Sequence, residues 1–233
     1  MKKLLLLLAF ITPQLIFAQQ KSSIDITAGV NYAYRTLNTT SDNGFTNIIF
    51  DARQDREEAM INWTVGVHYN KQFSNAWYGR TGLRFTNIGY NQFPIDEQEW
   101  PSQNNNGMFD PTIENPDARD IIVDYYLLEI PILVGRQFCS KKWAPFIEVG
   151  ISPSYIVGNS QDIFASAFTR NFQVVGIVSG GLNYTQNSFQ FFAQPAFRFH
   201  LTGIDADDPP IKEHLFSGGI EVGVRKFIGE VAN

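Results

Sequence analysis

The sequence predicts an all-β chain, with eight antiparallel strands in up-and-down order closed into a transmembrane barrel of the smallest size. Three observations lead there. Eight stretches alternate polar and apolar residues with a period of two, the connections between them alternate short and long, and aromatic residues gather at the strand ends.

The first strand is predicted over 24–36, with Ile24, Ile26, Ala28, Val30, Tyr32 and Tyr34 on one face and Asp25, Thr27, Gly29, Asn31, Ala33 and Arg35 on the other. The second, 60–70, sets Ile61, Trp63, Val65, Val67 and Tyr69 against Asn62, Thr64, Gly66 and His68. The third, 77–90, sets Leu83 and Phe85 against Arg80, Gly82 and Arg84. The fourth, 124–138, is the longest apolar run after the N-terminus. Glu129 and Pro131 rule it out as a membrane helix, and it is shorter than the ~20 residues such a helix needs. With period two it is consistent: Tyr126, Leu128, Ile130, Ile132 and Val134 share one face, and Tyr125, Leu127, Glu129, Pro131, Leu133 and Gly135 the other. The fifth, 145–157, sets Ile147, Val149, Ile151 and Tyr155 against Glu148, Gly150, Ser152 and Ser154. In the sixth, 171–184, Gly180-Gly181 leaves the phase open. The seventh, 188–201, sets Phe189, Phe191, Ala193, Phe197 and Phe199 against Gln190, Gln194, Arg198 and His200. The eighth, 215–227, sets Ile220, Val222 and Val224 against Glu221, Gly223 and Arg225.

The connections 71–76, 139–144 and 185–187 are short, and 37–59, 91–120, 158–170 and 202–214 are longer. Such alternation over an even number of strands is expected of a barrel with turns on one side of a membrane and loops on the other. Tyr69, Trp77, Phe138, Trp143, Phe146, Tyr184, Phe189 and Phe227 form the expected belt at the short-turn side. Tyr34, Tyr90, Tyr126, Tyr155, Phe172 and Phe199 form the belt at the long-loop side.

Alternation alone does not say which face points inward, since a soluble carrier barrel would enclose its apolar face. The polar face here is rich in small residues and carries mid-strand charges of both signs. A narrow interior filled by side chains calls for both features. The expected interior charge network is Arg80, Arg84, Glu129, Glu148, Arg198, Glu221 and Arg225, with Glu129 partnered by one or more of the arginines. Pro131, Pro153 and Pro195 fall inside strands, where a closed barrel offers no free edge, so a bulge or irregular pairing is expected at each.

Residues 1–18 read as a secretory signal peptide: Lys2 and Lys3 precede an apolar run over 4–11, and Ala18 precedes Gln19. Residues 19–233 then form one barrel domain whose formal charge is 16 basic minus 23 acidic residues, or −7, which argues against a nucleic-acid partner. Cys139 is the only cysteine, so no internal disulfide forms.

The segment YLLEIPILVGRQF at 126–138, followed by WAPFIEVG at 143–150, resembles the outer-membrane β-barrel families of Bacteroidota, including the PorT-like group. With the eight-strand plan the resemblance covers most of 19–233. It implies a cell outer-membrane location and a link to envelope or secretion machinery. It assigns no site residue, and the long acidic loops depart from the shortest members.

The residues leave several function classes in play. The first is a structural, binding or assembly barrel, monomeric and in contact with outer-membrane lipid, that engages envelope or secretion-system proteins through its loops. The alternatives are an outer-membrane lipid-modifying enzyme and a narrow channel. Catalysis needs a nucleophile with a base in reach. His68, His200 and His214 have no evident activating partner, although Thr202 shares a face with His200. Glu129 and Glu148 lie on neighbouring strands but read as partners of inward arginines. The segment Asp205-Ala206-Asp207-Asp208 lacks the Gly and closing Glu of a calcium loop. The seven acids of 91–120 read as solvated surface charge. No cofactor or metal is expected, and the protein is not expected to be an enzyme.

Overall fold

The computed structural model describes residues 22–39, 57–92, 121–139, 141–160, 171–205 and 211–228, with the single positions 50 and 54. The predicted signal peptide, most of the loop 91–120, and Asp207 and Asp208 lie outside the described residues. The strands are β1 (Ser22–Thr39), β2 (Glu57–Gln72), β3 (Trp77–Gln92), β4 (Ile121–Glu129), β5 (Ile132–Gln137), β6 (Trp143–Asn159), β7 (Phe172–Gln186), β8 (Phe189–His200), β9 (Ile204–Asp205) and β10 (Ile211–Ile228). β4 and β5 are two halves of one barrel strand, since both lie between β3 and β6. β9 is a two-residue return against β10. The barrel therefore has eight strands, all antiparallel. β1 pairs with β10 from Ser22↔Ile228 to Thr39↔Ile211, so the sheet closes on itself and leaves no edge along that seam.

The polar face points inward. Asp25, Thr27, Asn31, Asn62, Thr64, Arg84, Glu148, Gln194 and Glu221 are buried, while Ile26, Ile61, Val67, Ile132 and Ile220 are exposed on the outer surface. Alternation continues through Gly180-Gly181: Val178 and Leu182 face out, and Ser179 and Asn183 face in. On β1 the outward apolar band runs from Ile24 to Tyr34, and Thr36 and Asn38 follow it. That length suits the roughly 9–11 tilted residues that cross a bilayer, and it puts the remainder of β1 beyond the band at the long-loop end.

Three belt residues belong to the interior instead. Phe146 and Tyr90 are buried, and Phe227 lines a cavity at the short-turn mouth. Position near a strand end does not choose the face; parity does. Phe146 counts in step with Glu148, Phe227 with Arg225, and Tyr90 with Arg84. Tyr69, Trp77, Phe138, Trp143 and Phe189 remain on the outer surface at the short-turn rim, and Tyr155, Phe172 and Phe199 at the long-loop rim. Trp143 and Tyr184 pack with centroids 4.6 Å apart.

No bulge forms at the prolines, but pairing is interrupted at two of them: Ile130-Pro131 separates β4 from β5, and Pro195 falls in the gap of the β7–β8 ladder between Ser179↔Ala196 and Leu182↔Ala193. Pairing of the fourth barrel strand with β3 continues in one register from Arg84↔Glu129 to Thr81↔Ile132, across Pro131. Pro153↔Val174 and Ile220↔Pro195 also sit in unbroken register. Proline removes one donor and does not force an extra residue into the strand. At the 130/153 position the donor that remains is used, as Ile130 N–H donates to the Pro153 carbonyl at 2.9 Å. The register shifts lie elsewhere, between Ala59 and Thr64 on β2 and between Tyr126 and Leu127 on β4.

Two interior glycines make room for aromatic rings. A Cβ on Gly135 would come 2.3 Å from the Tyr78 ring, and one on Gly223 would come 2.3 Å from the Phe192 ring. Both rings therefore occupy the space over a glycine of a neighbouring strand.

Candidate functional site

The interior charges form layers along the barrel axis. At the short-turn end Asp25 is the hub. Its Oδ1 lies 2.9 Å from His68 Nδ1 and accepts from Arg80 Nη2 at 3.2 Å. Its Oδ2 accepts from Asn70 Nδ2 at 2.8 Å, from Arg225 Nε at 3.3 Å and from Arg225 Nη2 at 3.2 Å. Cross-strand register supplies two of these partners, because His68 and Arg225 are paired directly with Asp25 from β2 and β10. Arg80 links the hub to Glu148, donating Nη1 to Oε2 at 2.9 Å, while the Tyr78 hydroxyl donates to Oε1 at 2.8 Å.

Glu221 is the hub of the middle layer. It accepts from Arg84 Nη2 at 3.3 Å, from Gln194 Nε2 at 3.0 Å, and from Arg198 Nη2. Glu129 lies at the edge of this layer. Arg84 Nη1 is 4.0 Å from its Oε2, too far for a hydrogen bond. Nearer the long loops, Arg35 forms ion pairs with Glu57 and Glu213 and lies 4.0 Å over the Tyr90 ring.

The structure thus brings Arg80 to Glu148, Arg84 and Arg198 to Glu221, and Arg225 to an acid outside the expected set. Asp25 and Arg35 had been assigned to the inward face by parity, but neither was counted in the network. The available signal was their parity itself. The bilayer-depth layers contain four arginines, Arg80, Arg84, Arg198 and Arg225, against four carboxylates, Asp25, Glu129, Glu148 and Glu221. Their formal charges cancel. In a closed low-dielectric interior, balance of this kind avoids the several kcal/mol per ion that an unpaired charge costs.

The histidines have ordinary surroundings. His68 leans on Asp25, and His214 Nδ1 lies 3.1 Å from the His200 carbonyl oxygen. The Thr202 hydroxyl donates to Gln173 Oε1 at 2.9 Å and accepts from Val174 N–H at 2.8 Å, so its bonds run to β7 and not to His200. Among the described residues no group of three or more His, Cys, Asp or Glu side chains is arranged to hold a metal ion.

The fold has known counterparts. OprG from Pseudomonas aeruginosa superposes with a TM-score of 0.51 at 8% identity, covering 90% of this chain and 97% of that one. Neisserial surface protein A matches with a TM-score of 0.47 at 12% identity, covering 88% of this chain and 96% of that one. At such identities the likeness concerns the fold alone. No curated protein matches the sequence. A family model described as the outer membrane protein beta-barrel domain matches residues 17–206. With an eight-stranded closed barrel, an apolar outer band and a charged, filled interior already in place, the chain belongs to the outer membrane protein beta-barrel domain family and is an outer-membrane protein.

Proposed function

We propose that this protein is a non-catalytic, non-conducting outer-membrane barrel of the PorT-like Bacteroidota group, and that it acts through its long loops in envelope or secretion-system assembly. The observation that carries this reading is the filled interior. Arg80, Arg84, Arg198, Glu148 and Glu221 are all at most 2% exposed, so side chains occupy the space a pore would need. The rigid, closed barrel then serves as a mount for the loops. The geometry of Thr202 and His200 speaks against the lipid-modifying alternative, because the hydroxyl that shares the histidine's face is committed to β7.

Purified protein reconstituted in planar bilayers is expected to give no discrete conductance steps; steps typical of a water-filled pore would replace this reading with the narrow channel. Cys139, in a short turn, tests orientation. A membrane-impermeant maleimide is expected to leave it unlabelled in intact cells and to label it after the outer membrane is opened. Replacing 95–116 by a short Gly/Ser turn is expected to preserve the folded barrel and abolish its cellular role. Retention of the role would move it from that loop to the barrel body.

A further inference from the structure

We propose that the short-turn mouth of the barrel binds a compact oxyanion group, carboxylate or phosphate. A cavity of about 290 Å³ opens there, lined by Arg225, Lys141, Lys142, Asn70, Gln137 and Gln190 among others. Among the described residues none that lines it is acidic, although the chain carries a formal charge of −5. Beneath the mouth the charges cancel, with Arg80 and Arg225 facing Asp25 and Glu148. The two rim lysines are therefore an unbalanced surplus of positive charge at the opening. Lys142 is held against the Tyr184 ring, 5.0 Å from its centroid.

The cavity also has a built floor. Arg225 is 4% exposed and fixed from three sides: Nε and Nη2 donate to Asp25, Nη1 donates to Gln190 Oε1 at 2.9 Å, and the Tyr78 and Phe192 rings lie 5.4 and 5.3 Å from its guanidinium carbon. These bonds use three of the five N–H groups of a guanidinium and leave two for a ligand. A pre-positioned guanidinium fork with amides beside it and lysines at the entrance suits an oxyanion with charge-assisted hydrogen bonds. Amide side chains around the fork also suit a ligand that carries amide groups next to its acid. The side from which the ligand arrives rests on the short turns facing the periplasm, which the labelling of Cys139 tests, whereas binding itself does not.

The test is titration calorimetry on the full-length barrel in non-ionic detergent at 0.15 M salt, where surface charge is screened beyond about 8 Å. The probes are an acetylated dipeptide with a free C-terminal carboxylate, its C-terminal amide, and inorganic phosphate. Saturable binding of the carboxylate or of phosphate is expected, with the amide at least roughly tenfold weaker; the tighter of the two anions identifies the ligand's source. The double variant Lys141→Gln/Lys142→Gln, which alters only exposed turn residues, is expected to bind at least roughly tenfold more weakly and to melt like the parent. Arg225→Lys keeps the charge, removes the fork, and is expected to bind more weakly than the parent in protein whose unheated gel mobility is still that of the folded barrel. No binding by either anion, or equal binding by parent and double lysine variant, overturns the proposal.

Discussion

Asp25 and Glu129 are two inward acids in the same kind of place, each directly across the ladder from an arginine: Asp25↔Arg225 on one side of the barrel and Arg84↔Glu129 on the other. Their fates differ. Asp25 accepts from Arg225, Arg80 and Asn70 and meets His68, whereas Glu129 has Arg84 at 4.0 Å and no hydrogen bond from it. Arg84 turns across the barrel to Glu221, where Arg198 and Gln194 already converge. Ladder adjacency offers a partner, and the reach of a long side chain across a narrow interior decides whether the offer is taken. Of the two acids, Asp25 therefore holds its cations by hydrogen bonds, while Glu129 acts on Arg84 through charge alone.

The strongest test of that contrast is Asp25→Asn. It leaves Arg225 and Arg80 short of their shared acid in a buried layer and is expected to cost about 3–5 kcal/mol, read as a lower urea midpoint for the heat-modifiable form. Gly135→Ala should come next, at about 1–3 kcal/mol, because its new Cβ meets the Tyr78 ring and pushes the hydroxyl off Glu148. Tyr78→Phe removes that hydroxyl alone, and a loss of about 1.5–3 kcal/mol is expected for a hydrogen bond to a charged acceptor. Glu129→Leu should cost less than Asp25→Asn, because Arg84 keeps its hydrogen bond to Glu221, yet it leaves the interior one acid short and a measurable loss is expected. A Glu129→Leu barrel as weakened as Asp25→Asn would erase the distinction between the two acids.

The faces of the strands were legible in the sequence because a period of two survives any tilt of the barrel. Ile24 to Tyr34 and Tyr126 to Val134 needed only counting. The same counting would have moved Phe146, Phe227 and Tyr90 inward, had parity been preferred over nearness to a strand end. Parity also had Asp25 facing the lumen. It could not say that Arg80 bridges Asp25 to Glu148, or that Glu221 gathers two arginines by hydrogen bonds while Glu129 meets Arg84 only as an ion pair at 4.0 Å. Those pairings depend on how far strands slide past one another as the sheet closes, which sets the heights that meet across the interior. The prolines interrupt pairing without shifting register, because a missing donor leaves a gap in the ladder while a register shift needs an extra residue.

The ends of the barrel differ in charge as well. The connections 37–59, 91–120, 158–170 and 202–214 carry seventeen acidic and five basic residues, whereas 71–76, 139–144 and 185–187 carry three lysines and no acid. The short-turn mouth therefore favours anions on both local and long-range grounds, and salt should weaken that preference.

The seam between β1 and β10 also sets the order in which the molecule can be completed. The bond from Arg225 to Asp25 joins residues 200 apart in the chain. No partial barrel contains it, and closing so long a loop comes at an entropic cost that only the finished circle offsets. A growing or truncated chain without β10 leaves the hub of its lower layer short of a cation and its first strand with a bare edge. The arrival of the last strand supplies both at once, so closure of the sheet and completion of the lower charge layer are one event.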